Sequence, residues 1–340
     1  MPKLSRRLLM GAALGGLTAS LSACGQKTYE RLEPAAAPSQ VTSSQAVSGS
    51  DPRKWVLFGD SLTASSTITD ELAGLTGYEI INAGISGDTS IDVALRAGAL
   101  EARITLADQK IQAQGPSEVV NLEPSDFVAP NAWHYPARLS GVTGYLIRKS
   151  PTDPLYFEPS QPGAGLDLGG PVKLEIDPEG ETDYLRKGLE QRYSMIIGLG
   201  RNDLTLKLEL DQLIDNIKAL LAQAQQTQSQ QAQPRYLIWD LVPWTYEPYG
   251  SEGRASLDSW NQRLREEFGD RFASPVASFF ADPEQTMRES GLTPSQQDFD
   301  DLGKGILPAS LRKDDLGHFN AAGSRVWAHY MFQEIKKRGW

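Results

Sequence analysis

Cysteine is almost absent from this chain, and histidine is scarce. Cys24 is the only cysteine among 340 residues, so one molecule cannot form a disulfide of its own. There are three histidines, whereas a structural zinc site takes four cysteine or histidine ligands. These counts argue against a zinc-stabilised fold, and we expect the protein to need neither a metal nor another cofactor.

Basic residues and long apolar runs are also in short supply. Lys and Arg number 33 against 43 Asp and Glu, so a nucleic-acid backbone would meet net repulsion, and we expect no nucleic-acid partner. Beyond the first two dozen residues, no apolar run approaches the roughly 20 residues that span a bilayer. The remaining chain, residues 52–340, is long enough to form an elaborated globular domain.

The N-terminus follows the three-part plan of a secretory signal. Basic residues come first, among them Arg6 and Arg7, a weakly hydrophobic stretch rich in Gly and Ala follows, and Ala23 directly precedes Cys24. We therefore predict a signal peptide over residues 1–23. The paired arginines resemble a twin-arginine export signal, and the pattern leaves the Tat and Sec routes both open.

The position of Cys24 resembles the lipobox of bacterial lipoproteins, in which the thiol is acylated and becomes the mature N-terminus. A buried free cysteine is the alternative. Residues 24–51 lack periodic hydrophobicity and are rich in Pro, Ala, Ser and Gln, which predicts a lipid-anchored tether. We expect an exported cell-envelope lipoprotein, at the outer membrane or the periplasmic face if the cell has two membranes.

Short apolar runs alternate with helical patterns in the rest of the chain. Strands are predicted at residues 54–58, 78–81, 193–199 and 236–241. Apolar residues at three-and-four spacing mark a helix around Leu210 to Leu221, and further helices are predicted at about 91–105, 254–268 and 321–337. This alternation predicts an α/β fold, a three-layer doubly wound parallel sheet of the flavodoxin-like type.

One long segment breaks the alternation. Residues 107–190 are rich in Pro, Gly and Asp and contain two-fold alternations such as Val172, Leu174 and Ile176. We interpret this segment as a β-rich insertion with a small core of its own, because a structureless loop of this length is uncommon inside a compact domain. This segment lies between two short polar stretches, residues 82–89 and 200–203, so we expect it to overhang them.

Four short blocks carry polar side chains to the predicted edge of the sheet. They are residues 59–62 (GDSL), 82–89 (NAGISGDT), 200–203 (GRND) and 315–318 (DLGH), and the first three follow predicted strands. The carboxyl edge of a parallel sheet is where open α/β folds bind ligands. A lone GDSL tetrapeptide is compatible with an ordinary turn, whereas four blocks in this order are far more specific.

Together the blocks resemble those of the SGNH hydrolase superfamily, the GDSL esterases and lipases, from about residue 54 to the C-terminus except for the insertion. The resemblance implies a nucleophilic serine with a histidine and an aspartate, and an oxyanion hole shared by the serine, a glycine and an asparagine. Matched block by block, these roles fall on Ser61, His318, Asp315, Gly87 and Asn202. Gly84 is the competing choice for the glycine.

The residue types suit acyl-ester chemistry. A serine hydroxyl is a weak nucleophile until a base takes its proton, and an imidazole such as that of His318 is suited to do so near neutral pH. A carboxylate such as Asp315 can accept the imidazole Nδ1–H and fix its tautomer. Asp60 and Asp203 are expected to orient loops, and His134 and His329 to pack or lie at the surface.

These features predict an ester hydrolase that removes a small acyl group, such as acetyl, from an envelope glycan or another ester. Trp244 and Tyr246 follow the strand at 236–241 and could contact the substrate, although packing against the insertion explains them equally well. Two alternatives stay open. One is a non-catalytic envelope protein that binds a glycan on the same scaffold, and the other is a lipase or an acyltransferase.

Overall fold

The computed structural model describes residues 53–124, 133–150, 153–176, 193–227, 235–315 and 317–340, all within one compact unit, Ser48–Trp340. The predicted signal peptide (1–23), the predicted tether (24–51) and Cys24 lie outside the described residues. Within the described ranges, no helix combines the length and apolar character that crossing a membrane requires.

The chain alternates strands and helices, with a run of strands in the middle. The described strands are β1 Lys54–Gly59, β2 Glu79–Asn82, β3 Ala102–Leu106, β4 Lys110–Ile111, β5 Ser117–Glu123, β6 Trp133–Leu139, β7 Val142–Arg148, β8 Leu155–Pro159, β9 Leu166–Asp167, β10 Val172–Ile176, β11 Ser194–Gly198, β12 Tyr236–Trp239 and β13 Phe272–Ala273. The described α-helices are α1 Ser66–Thr76, α2 Ser90–Arg96, α3 Arg201–Leu206, α4 Leu210–Thr227, α5 Glu252–Phe268, α6 Pro275–Ala281, α7 Pro283–Glu289, α8 Gln296–Lys304 and α9 Ala321–Lys337.

Five parallel strands form the central sheet, in the spatial order β13-β12-β11-β1-β2. Helices cover both faces, which is why β1 is a continuous apolar run rather than an alternating one. Val56 and Phe58 of β1 pack with α2, α4 and α5, whereas Trp55 and Leu57 pack with α1, α6 and α9. The predicted three-layer α/β fold is confirmed.

The middle of the chain forms a closed barrel of six antiparallel strands, in the order β10-β3-β5-β8-β7-β6. Its apolar side chains make a separate core that includes Ile104, Leu146, Phe157 and Leu174, all nearly free of solvent contact. The predicted β-rich insertion with a core of its own is confirmed. The barrel begins earlier than predicted, with β3 at Ala102, and residues 125–132, 151–152 and 177–190 of the predicted range lie outside the described residues.

The helix predicted at residues 91–105 is wrong over its second half. Helix α2 begins after Thr89, whose side chain forms a capping box with Asp92, and it ends at Arg96 before Gly98, which has a left-handed φ of 72°. From residue 102 the apolar side chains alternate and enter the barrel core as strand β3. The helices predicted at 254–268 and 321–337 match α5 and α9.

Candidate active site

The loops after three neighbouring strands meet at the carboxyl edge of the sheet. Ser61 follows β1, Gly87 follows β2 and Asn202 follows β11, and the sheet places these strands side by side. Asp315 and His318 come from the segment that precedes α9. The four sequence blocks therefore converge on one region, as the positions of the first three after predicted strands indicated.

Ser61, His318 and Asp315 form a continuous chain of hydrogen-bonding contacts. The Nε2 atom of His318 lies 2.7 Å from Ser61 Oγ, and its Nδ1 atom lies 3.0 Å from Asp315 Oδ2. The other carboxylate oxygen of Asp315 accepts the backbone N–H groups of Gly317 and His318, both at 2.9 Å. This arrangement holds the imidazole between an alcohol and a carboxylate.

The surroundings of Asp315 favour its ionised form. Partial burial acts to raise the pKa of this carboxyl, but the hydrogen bonds from Gly317 and His318 and the charge interaction with the His318 ring outweigh burial, so the pKa lies below its usual value. A carboxylate that stays ionised is a suitable acceptor for the imidazole Nδ1–H.

Three N–H donors lie at the same edge. Among the residues that the structure describes, the backbone N–H groups of Ser61 and Gly87 have no hydrogen-bond acceptor. The side-chain amide of Asn202 donates to the carbonyl of Asp88 at 2.8 Å, which leaves its second hydrogen available. Gly84, the competing glycine, instead donates its N–H to the Asn82 side chain. Of these two glycines, Gly87 is therefore the one whose N–H group is not already donated to another residue that the structure describes.

Asn82 ties two of these loops together. Its Nδ2 atom donates to the carbonyl of Thr63 at 2.9 Å, and its Oδ1 atom accepts the N–H of Gly84. A Cβ atom at Gly84 would lie 2.2 Å from Thr63 Oγ1, so the close approach of the loops requires a glycine there. The loop that carries Gly87 is therefore packed directly on the loop that carries Ser61.

Buried carboxylates fix the loops after β1 and β2 and join helix α3 to helix α2. The Asp88 carboxylate pairs with Arg96 at 2.6 Å, and both side chains are about 1% exposed. Asp203 accepts from the backbone N–H and the hydroxyl of Ser90, which joins α3 to α2. Asp203 and Asp60, which accepts the N–H of Leu62, are thus in the loop-orienting positions expected of them.

Burial also changes how these carboxyl groups titrate. Burial raises the pKa of Asp60 to about 7 and that of Asp203 to about 6, against the opposing effect of the hydrogen bonds that they accept. In an unfolded chain an aspartate has a pKa of about 4. The folded state therefore binds these protons more tightly, and this contribution to stability decreases as pH rises from about 4 through about 7.

We expect Asp60→Asn to remove part of this pH dependence. Asparagine keeps the acceptor for the Leu62 N–H but does not ionise, so the variant should be at least as stable as the wild type at pH 8. The difference should shrink as pH falls below about 7 and vanish near pH 3, where Asp60 is protonated in the folded and the unfolded chain alike. Urea unfolding at the two pH values measures this difference, and an equal loss of stability at both would contradict the assignment.

Trp244 and Tyr246 extend the site beyond the imidazole. The ring centroid of Trp244 lies 5.5 Å from that of His318, and Tyr246 packs edge-on against Trp244 at 5.8 Å. Trp244 is 8% exposed, whereas Tyr246 is 49% exposed. Of these two rings, Tyr246 has the larger accessible surface, and Trp244 lies in contact with both Tyr246 and His318.

Sequence reasoning missed two charged residues at this site, Arg201 and Glu247. They form a buried bidentate ion pair behind Trp244, with contacts of 2.9 and 2.6 Å. Arg201 stands between the two block residues Gly200 and Asn202, a signal that it lies near the site. Its partner is distant in the sequence, and no local pattern identified Glu247.

The other candidate groups do not join the site. His329 is exposed on α9, with its Nε2 atom 3.3 Å from the Gln333 side chain, as expected of a surface residue. The side chain of His134 lies outside the described residues. Within the described part of the chain, no cluster of three or more His, Cys, Asp or Glu residues could hold a metal ion.

The fold aligns with solved structures of esterases and lipases. The psychrotrophic esterase EstA from a Pseudoalteromonas species is 14% identical, with a TM-score of 0.39, over 84% of this chain and 98% of its own. A GDSL-like lipase from Bacteroides thetaiotaomicron VPI-5482 is 12% identical, with a TM-score of 0.41, over 84% and 89%. A protein assigned to the G-D-S-L lipolytic family from Desulfitobacterium hafniense DCB-2 is 11% identical, with a TM-score of 0.42, over 83% and 99%.

A scan of protein-family models and a search of curated proteins found no match to this chain.

Proposed function

We propose that this protein is a serine ester hydrolase that works through an acyl-enzyme on Ser61. The observation that carries the proposal is the unbroken contact chain from Ser61 Oγ through the His318 ring to Asp315. A nucleophile, a base within hydrogen-bond reach and a group that orients the base are the parts that acyl transfer requires.

In the first step, Ser61 Oγ attacks the ester carbonyl carbon while His318 Nε2 takes the hydroxyl proton. Asp315 keeps the Nδ1–H tautomer in place and stabilises the imidazolium that forms. The tetrahedral intermediate then collapses, the bond to the alcohol oxygen breaks, and His318 returns the proton to the leaving alcohol. In the second step, His318 deprotonates a water molecule that attacks the acyl carbon. The bond from that carbon to Ser61 Oγ then breaks, His318 returns the proton to Oγ, and the carboxylic acid leaves.

The negative charge on the carbonyl oxygen needs donors that are already in place. The N–H groups of Ser61 and Gly87 and the free amide hydrogen of Asn202 would supply three. Asn202 is fixed for this task, since its other hydrogen bonds the Asp88 carbonyl at 2.8 Å. Fixed donors stabilise the transition state without reorganising during the reaction.

Asn202→Ala should lower kcat by roughly 100- to 1,000-fold, about 2.7 to 4 kcal/mol, with a small change in KM. The measurement is release of p-nitrophenol from p-nitrophenyl acetate by the purified protein. Asn121→Ala, at an exposed position on β5, is the matched control and should keep the wild-type rate. No release by the wild type would favour the non-catalytic glycan-binding hypothesis, and an unchanged kcat would remove Asn202 from the mechanism.

We further propose that the ester is a small acyl group, such as acetyl, on an envelope glycan. Tyr246 supports a sugar as the alcohol part, because its half-exposed ring lies one aromatic ring beyond His318, the group that would protonate the leaving alcohol. Exposed aromatic rings are well suited to pack against the apolar face of a sugar ring. The side chains of His318 and Asp315 are 20% and 36% exposed, so water can reach the acyl-enzyme, which favours hydrolysis over acyl transfer.

Tyr246→Ala should lower kcat/KM for an acetylated oligosaccharide by about 10-fold, an effect of 1 to 2 kcal/mol, and leave kcat/KM for p-nitrophenyl acetate within about two-fold. Tyr249→Ala is the matched control. Tyr249 is 55% exposed, which is close to the exposure of Tyr246. Its ring contacts Arg254, at 4.4 Å from the ring centroid, and Gly305, rather than Trp244. Equal effects of the two substitutions on the oligosaccharide would contradict the role given to Tyr246.

The proposal includes the location of the protein. The signal-like N-terminus and the lipobox-like position of Cys24 support export and acylation, which would anchor the protein in the cell envelope at the outer membrane or the periplasmic face. The tether between Cys24 and β1 would then let the domain reach envelope glycans.

A further inference from the structure

Glu247 binds the backbone of Trp244 through both its side-chain carboxylate and its own backbone N–H. Glu247 accepts the backbone N–H of Trp244 at 2.9 Å through Oε2, and its own N–H donates to the Trp244 carbonyl at 2.9 Å. The same carboxylate receives Arg201 Nη1 at 2.9 Å and Arg201 Nη2 at 2.6 Å. Each side chain of this ion pair is 4% exposed.

The pair connects two parts of the proposed active site. Arg201 directly precedes Asn202 on α3, and its guanidinium carbon lies 5.0 Å from the ring centroid of Trp244. The Trp244 ring also packs against the His318 ring, with 5.5 Å between their centroids. A Cβ atom at Gly317 would lie 3.3 Å from Trp244 Cα, so the backbone of the histidine loop also rests on this residue.

A buried ion pair is not needed for stability alone. Taking two charges out of water is costly, and well-packed apolar residues of similar volume often replace such a pair without loss of stability. What apolar residues cannot do is accept the Trp244 N–H and hold the Arg201 fork against the indole face in one fixed geometry. The contacts therefore indicate a role in orientation.

We propose that Arg201 and Glu247 are positioning residues that hold Trp244 against His318 and so keep the imidazole aligned with Ser61. This inference rests on the proposed function, since it assigns His318 as the base. Because Arg201 lies on the helix that carries Asn202, the same ion pair would fix the positions of both the His318 ring and the Asn202 amide. A misplacement of about 1 Å at a reacting group can lower a rate about 100-fold.

The test compares single and double substitutions of the pair. Glu247→Gln keeps the side-chain shape and an acceptor for the Trp244 N–H but removes the charge. Arg201→Met combined with Glu247→Leu replaces the pair by apolar residues of similar length. The matched control is Arg338→Met combined with Glu334→Leu, a partly buried pair at the far end of α9, about 25 Å of helix away from the site.

Both pair variants should lower kcat for p-nitrophenyl acetate by about 10- to 100-fold with KM changed less than about three-fold. The low-field proton NMR signal of His318 Nδ1–H should shift or broaden in both variants and stay unchanged in the control. The double variant leaves the buried Trp244 backbone N–H without its acceptor, so it should stay folded with a Tm lowered by several degrees.

A folded double variant with wild-type kcat and an unchanged His318 signal would overturn the positioning role and leave the proposed function intact. If the double variant does not fold, Glu247→Gln tests the positioning role instead. A wild-type kcat together with an unchanged His318 signal in that variant would overturn the role. A wild type without ester hydrolysis would instead remove the proposed function, and with it the role assigned here.

Discussion

Ser61→Ala should reduce kcat for p-nitrophenyl acetate by about 10⁴- to 10⁶-fold, the largest effect expected of any substitution in this chain. Alanine removes the oxygen that would form the acyl-enzyme, and His318 then has no hydroxyl to deprotonate at 2.7 Å. The oxyanion donors stay in place, so a small residual rate over water is expected from binding and charge stabilisation alone.

The Ser61→Ala protein should remain folded, because Ser61 is only half-buried and its Oγ contacts the His318 ring rather than a buried core. Its Tm should stay within a few degrees of the wild-type value. Ser86→Ala, at an exposed serine in the loop after β2, is the control and should keep full activity. A Ser61→Ala enzyme with more than a tenth of the wild-type kcat would exclude Ser61 as the nucleophile.

His318→Ala should reduce kcat by a similar factor, about 10⁴- to 10⁶-fold, because the serine loses its base and the leaving alcohol loses its proton donor. Removing both Ser61 and His318 should lower kcat little further than either alone, since the two groups act as one unit. Imidazole added to the solution should restore part of the activity of His318→Ala and none of the activity of Ser61→Ala.

His329→Ala provides the control for the histidine substitution. His329 is exposed on α9 and contacts Gln333 rather than the serine, so its loss should leave kcat unchanged. Comparable losses for the two histidines would indicate a general effect on the fold and would contradict the assignment of His318.

The sequence indicated the sheet and the meeting of the four blocks because both follow from local patterns. Runs such as Trp55–Phe58 are apolar throughout, which marks strands covered on both faces, and a short polar block follows such a strand at its carboxyl end. The separation of Asp315 and His318 by three residues is likewise local. Contacts of this kind depend on few residues, so a single sequence suffices to predict them.

Interactions between distant residues could not be predicted in this way. The segment after Arg96 has apolar residues compatible with a helix, and only pairing with β5 and β10 makes it strand β3. Closure of the barrel likewise depends on which strands pair. Glu247 reaches Arg201 across the end of the sheet, and either residue alone resembles an ordinary surface charge.

The central claim is that Ser61 is the nucleophile of an ester hydrolase. The most direct measurement is mass spectrometry of the protein after treatment with an organophosphate ester that modifies activated serines, followed by peptide mapping. We predict one adduct per molecule, on Ser61, formed in parallel with loss of esterase activity and absent from His318→Ala. An enzyme that loses activity with the adduct on another residue, or that hydrolyses esters while Ser61 stays unmodified at saturating reagent, would contradict the claim.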